Sequence, residues 1–213
     1  GKLYETEPSI SLNIYKYYID QLCVFFKEIG ININTVPVSD KLYPSTNLFL
    51  KKRVYSSKIE TIKSLSSICI NTYNKNKIST VIKHIPGHGL AKSDSHKKLP
   101  VVNQNLSFLV KNDFKCFEKT KSKFGMTAHI LFKKIDNRRC VTHSKKIIKD
   151  IIRKKIGFKG ILISDDISMK ALNHNLITNA KKSLEAGCNL VLYCAGNHKD
   201  SLKLIKTLPN IDK

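Results

Sequence analysis

Fourteen residues, "KHIPGHGLAKSDSH" from Lys83 to His96, hold three histidines, one aspartate, two lysines and the chain breakers Pro86, Gly87 and Gly89. Imidazole beside carboxylate moves protons near neutral pH, and a glycine-containing loop can close over a bound molecule. Asp94 and His96 are separated by one residue, so in an extended segment their side chains would share a side and the carboxylate would orient the imidazole. A solvated surface pair has the same spacing. A second group stands in "GILISDDISM", where an apolar run ends in Asp165 and Asp166. Carboxylates there must meet solvent or a ligand, because burying them unpaired is unfavourable. Asp166 reads as a cap on the following turn, and Asp165 as a nucleophile or metal ligand. His84, His88, His96 and Asp94 are also suitable types for zinc. They lack the short helical spacing of common zinc motifs, however, and Lys83 would repel a cation, so the expectation is no metal.

A nucleophilic aspartate on one strand end and a protonatable group on a nearby loop are the two parts of retaining glycoside hydrolysis. Most such enzymes use a second carboxyl as the acid, and a His–Asp pair can do the same proton work. On this hypothesis His96 protonates the leaving oxygen while Asp165 forms a glycosyl-enzyme, and His96 then deprotonates the incoming water.

The elements that must position these groups repeat one rhythm. A helix is expected over about Ser9–Glu28, with Leu12, Tyr15, Ile19, Leu22 and Phe26 at three-and-four spacing and a stop at Gly30. The strand-like run "ININTVPV" follows, then a helix near Ser57–Asn74 and the run "STVIKHIP". A weaker helix near Leu106–Lys121 leads to "GMTAHILF". Ser144 caps "KKIIKDIIRKKI", whose Ile147, Ile148, Ile151 and Ile152 share a face, and Gly157 closes that helix. Then come "GILISDD", a helix near Thr178–Ala186, "CNLVLYC", and a last helix from about Lys199. Short apolar strands that alternate with helices are buried on both faces, which means a parallel α/β sheet or barrel. No low-complexity linker divides the chain, so residues 1–213 read as one domain. Asp40, Lys83, His84, His129, Asp165 and Asp166 all fall at or just beyond the C-terminal ends of these strands. In a (β/α) barrel that is the catalytic rim.

The net charge of +22 would suit a nucleic-acid-binding protein. The basic residues argue against it: of 38 Lys and Arg only Arg53, Arg138, Arg139 and Arg153 are arginine, and the lysines are spread over every segment. The six cysteines include no CxxC pair, and several sit in apolar runs, as expected of buried thiols in a reducing compartment. No apolar run reaches membrane-spanning length, and no secretory leader is expected.

The residues then carry a likeness. "VIKHIPGHGLAKSDSHKKLPVV", "MTAHIL", "GFKGILISDDISMKAL" and "SLEAGCNLVLYC", together with "GININTVPVSD" and "GKLYETEP", closely resemble the bacterial β-N-acetylglucosaminidases of glycoside hydrolase family 3. The resemblance runs along nearly the whole chain. It implies cytoplasmic recycling of cell-wall muropeptides with no metal or organic cofactor. By motif it implies that Asp165 is the nucleophile and that His96 with Asp94 is the acid/base pair on a mobile loop. Lys83 and His84 match sugar-hydroxyl contacts, Arg53 in "KKRVYS" matches more loosely an arginine that contacts the sugar, and His129 lies on the rim. The family folds as a (β/α)8 barrel, and only its last five β/α units are expected here. The three N-terminal strands and their Asp-Gln-Glu-Gly-Gly motif have no counterpart in the sequence. A five-stranded arc leaves open edges, which implies a complementing chain or self-association. It also keeps open a catalytically inactive, structural or weakly sugar-binding remnant.

Overall fold

A computed structural model describes residues 1–209. Helices α1 (Lys2–Thr6) and α2 (Pro8–Glu28) precede strand β1 (Ile33–Asn34), and α3 (Leu48–Lys51) and α4 (Ile59–Lys75) lead to β2 (Ser79–Ile85). Next come β3 (Val101–Val102), α5 (Leu106–Lys111), a 3₁₀ turn at Phe114–Phe117 and β4 (Phe124–Thr127). After β5 (Leu131–Phe132) and a 3₁₀ turn at Val141–His143, a π-helix (Ile147–Lys155) runs to β6 (Ile161–Asp166). Helix α6 (Leu176–Ala186), β7 (Leu190–Leu192) and α7 (His198–Thr207) complete the described chain.

Strands β1, β2, β4, β6 and β7 form one sheet in that order, every neighbour parallel. Spatial order follows chain order with no reversal. That is the singly wound arrangement of a (β/α) barrel; an open doubly wound sheet reverses at a switch point. The fold is thus α/β, built from five successive units of the barrel type. One face of the sheet is sealed by helices. Leu162 of β6 is fully buried in a cluster with Ile147, Ile151, Ile152 and Phe158, the isoleucines being those that share a face in the sequence. The other face is less covered: Ile33 is 38% exposed and Ile161 41%.

Helix α2 buries Ile19 and Cys23 and half-buries Leu12, Tyr15, Leu22 and Phe26, as its spacing predicts. Its opposite side is apolar too, with Ile10, Ile14, Tyr17, Tyr18, Val24 and Phe25 all exposed. The Ser144 cap is present, its Oγ accepting from the Ile147 N–H at 3.2 Å. Two elements depart from expectation. The helix of Leu106–Lys121 stops after Lys111, because Asn112 leaves helical geometry (φ −121°, ψ −92°), and only a 3₁₀ turn follows. The run "GMTAHILF" is two strands: β4 ends at Thr127, and β5 pairs with β3 in a separate two-stranded sheet. Two-residue strands carry too little periodicity to register in a sequence. Among the described residues no helix is long and apolar enough to cross a membrane.

Candidate active site

At the C-terminal edge of the sheet lies a cavity of about 350 Å³ to which every strand contributes: Thr35 just past β1, Lys83 of β2, Met126 of β4, Asp165 of β6 and Leu192 of β7. A parallel sheet opens all its βα loops on this side, so side chains far apart in sequence converge there.

Asp40 lies beneath the cavity and is completely buried. Its Oδ2 accepts from the His84 Nδ1–H at 2.7 Å and from the His84 backbone N–H at 3.2 Å, and its Oδ1 accepts from the His88 N–H at 2.6 Å. Burial alone would raise this carboxyl, but His84 and the His88 N–H outweigh it and hold it below the usual aspartate range. With Nδ1 committed to Asp40, His84 keeps Nε2 for the cavity it lines. Lys83 is buried and its Nζ donates to the Thr35 hydroxyl at 3.1 Å. Burial first, and then the charge of Arg53, push its ammonium down to about 8 against the pull of Asp165 and Asp40.

Asp165 accepts the Asp166 N–H on its Oδ1 at 2.9 Å and otherwise faces the cavity. Its burial opposes ionisation, yet His84, His129, the Asp166 N–H and His88 together hold it low, so it stands there as a carboxylate. Asp166 does what its place in the sequence suggests. Its carboxylate caps the next turn, accepting from the Ser168 N–H (3.0 Å), the Ser168 hydroxyl (2.7 Å) and the Cys194 N–H (3.2 Å).

The second chemical group arrives on the β2–β3 loop. The His96 Nδ1–H donates to Asp94 Oδ1 at 2.8 Å, and so does the His96 backbone N–H at 2.9 Å. The segment is therefore not extended. An aspartate that accepts from the N–H two residues on makes a tight turn, and this turn brings ring and carboxylate together. The His96 side chain is 54% exposed and Asp94 25%. Burial nudges the Asp94 carboxyl up, and the two His96 bonds and the His96 charge bring it below its ordinary value. Phe49 meets the His96 ring edge-on at 5.0 Å, and Arg53 lies over the same phenyl ring at 4.9 Å. Asp94, His96, Arg53, Lys83, His84 and Asp165 all line the one cavity.

His129 does not line it. Its ring is fully buried: Nε2–H donates to the Asp166 carbonyl at 3.0 Å, and Nδ1 accepts from the Thr142 hydroxyl at 2.7 Å. Burial lowers its pKa, and with both nitrogens bonded the ring fixes the end of β6 and has none left for a ligand. The sequence placed Asp40 on the rim but gave no sign of its bonds to residues 44 and 48 positions away, and it did not single out Phe49. His88 also lines the cavity; burial and His84 push it down to about 4. Among the described residues no three His, Cys, Asp or Glu side chains are grouped as a metal site.

The family model "Glycosyl hydrolase family 3 N terminal domain" matches residues 24–212. A beta-hexosaminidase of Nitrosomonas eutropha is 29% identical over 206 residues, covering 94% of this chain and 58% of the relative. Zinc-bound CbsA from Thermotoga neapolitana superposes with a TM-score of 0.82 at 30% identity, over 91% of this chain and 43% of that one. NagZ from Neisseria gonorrhoeae, solved with N-trifluoroacetyl-D-glucosamine, superposes with a TM-score of 0.88 at 24% identity, over all of this chain and 63% of that one. The chain therefore spans less than two thirds of the length of these relatives.

Proposed function

Because the chain belongs to glycosyl hydrolase family 3, we propose that it is the larger part of the catalytic domain of a retaining, exo-acting β-N-acetylhexosaminidase. The observation that carries this reading is the meeting of Asp165 and the His96–Asp94 pair in one cavity floored by Lys83 and His84. A carboxylate kept ionised in a largely buried place is suited to attack an anomeric carbon. His96, with Nδ1–H fixed on Asp94, presents Nε2 for proton transfer. In the first step His96 gives a proton to the glycosidic oxygen as Asp165 bonds to the anomeric carbon and the leaving alcohol departs. In the second, His96 takes a proton from water, whose oxygen displaces Asp165 from the sugar. Lys83, His84 and Arg53 hold the sugar hydroxyls. No metal or organic cofactor takes part. The substrates we assign are muropeptides with terminal β-linked N-acetylglucosamine, turned over in the cytoplasm.

The test is release of para-nitrophenol from its β-N-acetylglucosaminide by this chain, beside a version extended by the β/α units that its relatives carry. Turnover by both means that the five-strand sheet completes its site, by association. Turnover by the extended protein alone supports the family mechanism with this chain as a part. A folded extended protein that turns nothing over favours the second reading, a sugar-binding remnant, which the partly uncovered sheet face motivates.

A further inference from the structure

A larger cavity, of about 480 Å³, lies beside the first, between the loop after β5, the loop after β6 and helix α6. Arg138, Arg139, Lys145 and Lys182 line it, against a single carboxylate, Glu185. Among the described residues none of these four cations has a carboxylate within salt-bridge distance. The lysines alone would mean little in a chain this rich in lysine. The arginines mean more: the chain has four, and two adjacent ones are here. The guanidinium fork matches a carboxylate in a way that an ammonium does not.

The arginine turn is built. Asp136 Oδ1 accepts the backbone N–H of both Arg138 (3.0 Å) and Arg139 (3.1 Å), and its Oδ2 accepts the Ser144 hydroxyl at 2.7 Å. Asp136 is thus spent on the backbone and on Ser144, and neither guanidinium has a salt-bridge partner among the described residues. The cavity's imidazoles supply no compensating charge. His174 accepts from the Lys182 ammonium at 2.7 Å, and the His143 Nε2–H donates to the Asn179 carbonyl at 3.2 Å. The inner wall is apolar, with Cys140, Ala171 and Leu172 buried. Such a site suits a group with an aliphatic body and an acid end.

We propose that this cavity binds a carboxylate-bearing, partly aliphatic group, and that in the substrate this group belongs to the leaving side of the scissile bond. The two cavities share a wall. Ser95, between Asp94 and His96, accepts the Ala171 N–H on its carbonyl at 3.2 Å, and Leu99 of the same loop lines the basic cavity. A proton donor must stand on the leaving-group side, so a leaving group that passes His96 meets the arginine turn. That connection rests on the glycosidase reading; the binding of the carboxylate does not.

The experiment is a titration of the chain followed by amide chemical shifts, with N-acetyl-L-alanine and with its uncharged amide as probes, and separately with N-acetylglucosamine. The acid is expected to shift the Arg138–Lys145 and Ala171–His174 amides, with an affinity that falls as salt rises. The amide should bind about tenfold more weakly or worse, and the exposed-residue variant Arg138→Gln/Arg139→Gln should lose acid binding to the same extent while keeping its response to the sugar. Equal binding of acid and amide, no binding of either, or undiminished acid binding by the variant overturns the proposal. In the extended protein, acid binding without sugar binding leaves the anion site standing and sinks the glycosidase reading; sugar binding alone does the reverse.

Discussion

Lys83 ties the chemistry of the site to pH at the level of one residue. Its ammonium is pushed down to about 8, so the cation that would hold a sugar hydroxyl is lost well below the ordinary lysine range. Affinity for N-acetylglucosamine is expected to fall as pH rises through about 8. In Lys83→Met, calorimetric titration should find weaker binding with that alkaline limb gone. Asp40 makes the opposite contribution, to stability. Its folded-state pKa is depressed, so its ionised form stabilises fully above its unfolded value and that stability is lost as pH falls through the folded one. Asp40→Ala leaves buried donors on His84 and His88 unmatched and should cost about 3 kcal/mol or more in urea unfolding near neutral pH, the deficit shrinking in acid. These two groups differ in how far they could be seen in advance. Asp94 and His96 are neighbours in sequence, and their contact is local. Asp40 gains its partners only when β2 is laid beside the segment before it, through the bridge of Val38 to Lys83.

The element that positions the proposed proton donor is the loop from Ile85 to Val101. Gly89 lets it pass close to the chain below: a Cβ there would stand 1.9 Å from the Lys41 carbonyl oxygen. Gly89→Ala must therefore push the loop away, and we expect lost turnover in the extended protein together with about 1–3 kcal/mol of stability, measured by thermal unfolding. Asp165→Asn is expected to abolish turnover while leaving the circular dichroism spectrum in place; retention of activity would rule out its role as nucleophile. Helices with full periods were plain in the sequence, since α4 and the π-helix bury the face that their isoleucines and leucines mark, and α2 turns Tyr15, Ile19, Leu22 and Phe26 inward. The β3–β5 sheet was not, because two residues per strand leave its existence to contacts made far along the chain.

For the molecule as a whole, the exposed side of α2 matters most. A helix apolar on two opposite sides presents a second face suited to being covered. Ile10, Ile14, Tyr17, Val24 and Phe25 line its open side, and Ile33 on the edge strand is exposed as well. The isolated chain should associate in a concentration-dependent way in sedimentation velocity despite its charge of +22, and Ile14→Lys with Phe25→Lys should return it to the monomer. A monomer at every concentration would show that this surface is tolerated bare.

Five of the six cysteines are buried, and the sixth, Cys194, is exposed on the wall of the cavity that holds Asp165 and His96, with its N–H on Asp166. The protein thus carries a natural attachment point for an optical reporter. A thiol-reactive dye should label the native chain once and the unfolded chain at all six cysteines. Burial and the nearby Asp166 and Asp165 raise the Cys194 thiol, so labelling should quicken in mild alkali. A dye so placed would read cavity occupancy directly, whether or not turnover follows.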